Sequence, residues 1–216
     1  MARLVVFDLD GTITRRGTLA PYVLGLLSQR PWQLLRLIRV TPALIAYALG
    51  RIDRGRLKAS LLAVTFCDRS QSDLQAWTRH FVPRVLARSA HADAMKAIEA
   101  HRLRGDRLVL LSASPDLYVP ALAAQLQFDE VLCTGLRWSA GRLDGGLTTP
   151  NRRDAEKTRC LQALKERYPG LRTAAYANAS SDLDHLQLVD EPVLINGSSC
   201  ARRDAARLGI RSERWR

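Results

Sequence analysis

Long apolar runs are missing from this chain of 216 residues. Its two least charged blocks, Leu19 to Leu27 and Val40 to Leu49, fall well short of the roughly 18 to 20 residues that a membrane-spanning helix needs. Paired cysteines are missing too: Cys67, Cys133, Cys160 and Cys200 stand far apart, without the close spacing of a zinc or redox site. They are expected reduced and partly buried. The N-terminus shows no charged lead, long apolar segment and cleavage site in succession, so the chain is expected in the cytoplasm. No basic-aromatic RNA motif or recognition helix stands out, which argues against a specific nucleic-acid partner. Acid is scarce from Arg15 to Lys58, where Asp53 alone faces nine basic residues. The formal net charge of +12 comes mostly from arginine and points to anionic partners: phosphate esters, nucleic acid or an acidic membrane face.

What is present reads as a layered α/β domain. At 47% hydrophobic residues the chain can bury a full core. Leu4 to Phe7 is a short, wholly apolar run ending at Asp8, the pattern of a parallel strand covered on both faces. Similar runs end before Ser112, Asn178 and Asn196. Helical patterns at Ala92 to Leu103 and Glu156 to Arg167 lie between them, and the alternation predicts a doubly wound, Rossmann-like parallel sheet. Polar residues thus recur at strand C-termini, where such sheets hold their ligands. Val131 to Leu147, with Gly141, Gly145 and Gly146, reads as a β-hairpin or loop excursion.

From about Arg15 to Arg88 there is no convincing strand, only helix-like blocks punctuated by proline and glycine. Residues 15–88 are therefore expected to form an inserted helical cap, with 1–14 and 89–216 as the Rossmann-like core. In the cap Arg30, Arg36 and Arg39 alternate with Trp32, Leu34, Leu35, Leu37 and Ile38. Two arrangements are open: helices packed on each other, or an amphipathic surface resting peripherally on an anionic membrane at the inner face. His80, His91, His101 and His185 are scattered and are expected to be surface or cap structure.

The chemistry concentrates in Asp8-Leu9-Asp10-Gly11-Thr12. Two acids one residue apart at a strand end suit a nucleophile and its acid/base partner. Gly11 would let the backbone approach a phosphate closely, and Thr12 could offer a hydroxyl or amide to an anionic oxygen.

This segment resembles motif I of the haloacid-dehalogenase-like superfamily, and three later positions fit the same pattern in order. Ser112 is similar to the motif II hydroxyl, Lys157 to the motif III lysine, and Asp182 to the distal acid of motif IV. A helical cap after motif I resembles subfamily IB, which includes phosphoserine phosphatase. The cap's length and texture also look like those of bacterial phosphatidylglycerophosphatase C relatives. The resemblance implies a Mg²⁺-dependent phosphomonoester hydrolase in which Asp8 forms an aspartyl-phosphate and Asp10 serves as general acid and base. Thr12, Ser112 and Lys157 would bind phosphate; Asp8, Asp10, Asn178 and Asp182 would hold Mg²⁺. Two departures stand out. Asn178 occupies a position where most relatives have aspartate, which implies weaker metal binding. Asp154 stands where many have glycine, either near the mouth of the site or as a helix N-cap. The apolar, arginine-rich cap favours an amphiphilic or lipid phosphate as substrate. A small polar phosphate such as phosphoserine, a phosphate-binding pseudoenzyme and a basic nucleic-acid-binding protein are the alternatives. Ser114 and Asp116 could line the pocket or cap the next helix.

Overall fold

A computed structural model describes residues 2–29 and 31–216; Arg30 of the expected cap lies outside the described residues. The chain enters through β1 (Arg3–Phe7), buried along most of its length. It then runs through α1 (Leu19–Leu27), a 3₁₀ segment (Pro31–Val40), α2 (Thr41–Ala48), α3 (Arg54–Thr65) and α4 (Gln71–Ser89). After α5 (Ala92–Leu103) come β2 (Arg107–Pro115), α6 (Val119–Gln125), β3 (Glu130–Thr134), and the pair β4 (Leu136–Ser139) and β5 (Arg142–Leu147). The remainder is α7 (Ala155–Arg167), β6 (Arg172–Ala177), α8 (Leu183–Leu186), β7 (Glu191–Ile195), α9 (Ser199–Arg207) and β8 (Arg211–Glu213).

Six strands form one parallel sheet in the order β3-β2-β1-β6-β7-β8, while β4 and β5 pair antiparallel as a separate hairpin. The doubly wound sheet is as expected. β1 lies at its centre, with Phe7 in register with Leu110 of β2 and Tyr176 of β6. Side chains of a strand alternate between faces. Accordingly Leu4 and Val6 join a core layer with Leu161 and Leu164 of α7, while Val5 and Phe7 join the opposite layer with Ile98 of α5. The chain winds outward from β1 through β2 and β3 and then crosses to β6, so the strand order reverses at β1. Open α/β sheets bind ligands at such a reversal, outside the strand C-termini.

Two expectations need correction. Glu130–Thr134 belongs to the parallel sheet, and only the later part of Val131 to Leu147 is a hairpin. As an edge strand of mostly half-buried residues, β3 lacks the unbroken apolar run that marks a central strand. Three of the four histidines also lie inside the sheet domain: His91, His101 and His185 are buried. His101 is held by Asp106 Oδ2 at 2.7 Å and the Tyr176 hydroxyl at 2.9 Å, tying the α5–β2 turn to β6.

The segment between β1 and α5 is helical among its described residues. Its two ends meet: Arg15 N donates to Ser89 O at 2.7 Å, and Thr14 bridges to Ala90. Its inner layer shares the larger core cluster. Tyr22 of α1 lies 4.7 Å from Tyr118 and 5.0 Å from Phe81 of α4, centroid to centroid, and its hydroxyl meets Thr78 Oγ1 at 2.9 Å. β5 packs against α3, so the hairpin supports the helical layer from the side.

Candidate active site

β1 delivers Asp8 to the sheet's C-terminal edge, where Asp8 N donates to Tyr176 O at 2.9 Å as the last rung toward β6. The chain then turns sharply. Thr12, Ile13 and Thr14 all donate their amides to Leu9 O, and Gly11 takes φ +90°, a conformation only glycine adopts freely. A side chain at Gly11 would also collide with Asn178: a Cβ there would lie 2.0 Å from Asn178 Nδ2. The space above Gly11 is thus filled by the Asn178 amide, not left open to a ligand as expected.

A cavity of about 640 Å³ opens over this edge. Asp8, Asp10, Ser114, Lys157, Asn178 and Asp182 line its floor; Lys58 and Arg54 of α3, with Arg153, form one side. Apart from Ser181 the rest is without polar side chains and includes Leu19, Val23 and Leu24 of α1, Leu37, and Leu57 and Leu61 of α3.

The floor is an ionic triad. Lys157 Nζ donates to Asp8 Oδ1 at 2.7 Å and to Asp182 Oδ1 at 2.8 Å, with all three side chains buried. Burial pushes the Lys157 pKa down, but the Asp8 and Asp182 charges outweigh it and hold the ammonium above its ordinary value. Burial raises Asp8 to about 6; Lys157 opposes the rise, and Asp182 adds to it. At Asp182 burial is overcome by Lys157, His185 and the Ala179 amide, and its pKa is lowered. His185 packs under this acid, its Nδ1 3.9 Å from Asp182 Oδ1, and burial pulls it to about 4, so the ring is neutral at pH 7.

Asp10 is anchored separately. Its Oδ1 accepts from Thr18 N and Thr18 Oγ1, both at 2.7 Å, and its Oδ2 accepts from Ser114 Oγ at 2.5 Å. Ser114 therefore meets Asp10 at the cavity, whereas Asp116 accepts from Leu136 N at 3.2 Å and holds the hairpin. Thr12 and Ser112 are buried behind the lining. The Thr12 hydroxyl donates to Asp8 Oδ2 at 3.3 Å, and Ser112 Oγ accepts from Ser114 N at 3.1 Å, leaving its proton to donate elsewhere. Asp154 neither caps α7 through its side chain nor lines the cavity; it is exposed beside Arg153 Nε, with φ at +51°. That backbone value accounts for a glycine preference at the position.

Sequence reasoning counted Lys58 only as cap charge. In the fold it crosses from α3 to the sheet edge, where Nζ donates to Ala113 O at 2.5 Å and Asn151 Oδ1 at 3.1 Å. Burial lowers it to about 8; Asp10 resists this, and Arg54 and Arg153 reinforce it. Thr18 was likewise missed. No local pattern marks either residue, because each acquires its role by meeting a distant segment.

A family model of haloacid dehalogenase-like hydrolases matches residues 5–187. The chain belongs to the haloacid dehalogenase-like hydrolases. It is 36% identical over 195 residues to Protein CicA of Caulobacter vibrioides, an alignment covering 87% of this chain and 83% of CicA. Among solved structures it resembles a Bordetella pertussis Tohama I protein of unknown function, with TM-score 0.80, 21% identity and 98% of both chains covered. A substrate-bound phosphoserine phosphatase complex superposes with TM-score 0.66 at 15% identity, covering 94% of this chain and 90% of that one. These structural likenesses concern the fold, including the helices between β1 and α5. Every residue expected from the family pattern thus lies at, or directly behind, one cavity wall of a haloacid dehalogenase-like hydrolase.

Whether this wall suits a divalent cation follows from its donors. Among the described residues no three His, Cys, Asp or Glu side chains converge as a ready-made cage. The wall instead offers Asp8, Asp182, the Asn178 amide and Asp10, a hard oxygen set, with acid in excess over the single buried Lys157. Mg²⁺ is commonly held by one or two carboxylates completed by water and substrate phosphate, so the residues fit.

Proposed function

We propose that this hydrolase cleaves phosphomonoesters through a covalent intermediate on Asp8, and that its substrate is amphiphilic. The observation that carries the reading is the Asp8–Lys157–Asp182 triad at the floor of a cavity whose opposite wall is apolar. Residues 15–88 are proposed to act as the cap that supplies this wall.

A phosphate monoester is anionic and repels a carboxylate unless its charge is offset first. Lys157 lies against the attacking carboxylate and Lys58 faces it from the cap side, so cations lie on two sides of the cavity. An Asp8 oxygen would bond to phosphorus as the bond to the leaving alkoxide breaks. Asp10 would give that alkoxide a proton, then take one from the water that attacks phosphorus, releasing phosphate and regenerating the Asp8 carboxylate. Thr18 and Ser114 aim the Asp10 carboxylate for both transfers. Thr12 fixes Asp8 Oδ2, and the Ser112 proton can reach a phosphoryl oxygen. Mg²⁺, held by Asp8, Asp182, Asn178 and the Asp10 backbone carbonyl, would neutralise phosphate charge when bound. The amphiphilic substrate, which the cap's likeness to phosphatidylglycerophosphatase C relatives also implies, is supported here by the leucine-rich wall.

The test is phosphate release from lipid and soluble monoesters, with and without Mg²⁺, by wild type and Asp8→Asn. Turnover should need Mg²⁺, favour monoesters with an apolar body, and vanish in the variant. A variant retaining a tenth of the activity, with deamidation excluded by mass spectrometry, refutes the covalent route; a preference for small polar phosphates refutes the amphiphilic substrate.

A further inference from the structure

The 3₁₀ segment Pro31–Val40 is turned the unexpected way round. In a 3₁₀ helix, residues three apart eclipse one another, so Trp32, Leu35 and Ile38 stand in one straight ridge. The ridge faces outward, with exposures of 66%, 69% and 69%. The polar neighbours face inward instead. Gln33 is 2% exposed and donates to Asp68 Oδ2 at 3.2 Å, and Arg36 pairs with Asp68 Oδ1 at 2.6 Å. Rotating the segment about its axis would bury the apolar ridge and return glutamine and arginine to water. The contacts with Asp68, at the turn between α3 and α4, hold it in the opposite orientation.

The adjoining helix repeats the theme. α2 carries no charged residue and buries none, and Leu44, Ile45, Tyr47 and Leu49 continue the exposed face. Eight of the eleven exposed large hydrophobic residues among those described lie between Trp32 and Leu49. An apolar patch of this kind, contiguous and held outward, marks an interaction surface.

We infer that this face docks on an anionic lipid bilayer. Charge complementarity selects that occupant: the sequence holds no acidic residue from Gly11 to Ile52, and Arg39 and Arg51 are exposed on this stretch. Apolar side chains entering the acyl boundary beneath a basic rim are how an interfacial segment binds anionic membranes. Continuity with the cavity agrees. Leu37 of the same 3₁₀ segment and the half-exposed Leu24 both line the cavity, so apolar surface runs from the ridge into the catalytic crevice. Among the described residues no helix is long and apolar enough to cross a membrane, so this contact is peripheral. The sense of the docking, cavity mouth toward lipid, rests on the amphiphilic phosphatase reading; the docking itself does not.

The experiment is co-sedimentation of the full chain with phosphatidylcholine vesicles, with and without phosphatidylglycerol, across a salt series. Three variants are compared: Leu35→Ser/Ile38→Ser, Arg39→Gln/Arg51→Gln and Asp8→Asn. None of the four surface residues lines the cavity, so turnover of a soluble aryl phosphate should match wild type in both double variants. Wild type should bind only the anionic vesicles and be released by salt. Each arginine lost should weaken partitioning about fivefold, and the leucine–isoleucine pair at least about tenfold. Asp8→Asn should bind as wild type does. Wild type remaining in the supernatant, or both double variants binding undiminished, overturns the inference. Dimerisation that the leucine–isoleucine variant abolishes, without vesicle binding, assigns the face to a second copy of the chain. Vesicle binding by a protein with no phosphatase activity would remove the enzymatic reading and leave the docking surface standing.

Discussion

Removing Lys157 from between its two acids should cost much of the protein's stability, in a pH-dependent way. In Lys157→Met the methionine fills a similar volume, but Asp8 and Asp182, both nearly buried, lose the cation that sits 2.7 and 2.8 Å from their oxygens. Stripping one partner from a buried ion pair typically costs about 3–5 kcal/mol, against a total stability on the order of 5–15 kcal/mol. With a urea m-value of about 2–3 kcal/mol/M for a chain of this size, the midpoint should fall by roughly 1–2 M. The sign of the pH effect follows from proton counts. Asp8 already binds protons more tightly folded than unfolded, its pKa raised from 3.8 to about 6, so its contribution to stability falls as pH rises through that window. Without Lys157 Asp8 moves further up, and Asp182 loses the main charge that holds its pKa down. The variant's deficit should therefore be largest above pH 7 and shrink on acidification toward pH 5, as the stranded acids become neutral. The assay is urea unfolding in chelator at several pH values, then with Mg²⁺, which should restore more stability to the variant than to wild type. Equal midpoints at neutral pH, or a deficit that widens on acidification, would refute the electrostatic account of the triad.

Three further outcomes follow from named positions. Asn178→Asp should lower the Mg²⁺ concentration for half-maximal turnover severalfold by adding a charged ligand; an unchanged Mg²⁺ dependence would mean that Asn178 is no ligand. Lys58→Met should raise KM for a phosphomonoester about tenfold or more by removing a charged contact. Because Lys58 is pulled to about 8 and loses its charge above that value, wild-type KM should climb on the alkaline side and the variant's should not. A pH profile shared by both proteins would discount this role. Asp154→Gly should relieve the strained backbone at φ +51° by about 1 kcal/mol, read as a Tm increase of about 2–4 °C; an unchanged or lower Tm would show that the position stores no strain.

The chain's local grammar carried the sheet and the acids. An apolar run ending in Asp8-Leu9-Asp10-Gly11-Thr12 declares a buried strand and its acid-bearing end, because strand burial and the tight turn after it are set by neighbouring residues. Ser112, Lys157 and Asp182 are legible through their resemblance to the family pattern, in order along the sequence; in the fold Ser112 lies within β2 and Lys157 in the first turn of α7. Lys58 and Thr18 are not, since their partners lie 55 and 8 residues away and depend on how the helical segment closes over the sheet. β3 escaped notice because an edge strand needs no continuous apolar run. Composition showed that residues 31–49 were apolar and basic, and left both a packed bundle and an exposed surface open. Only tertiary structure fixed which side of the stretch is exposed, through one distant carboxylate: Asp68 draws Gln33 and Arg36 inward, and a helix with its polar side so held must turn Trp32, Leu35 and Ile38 outward.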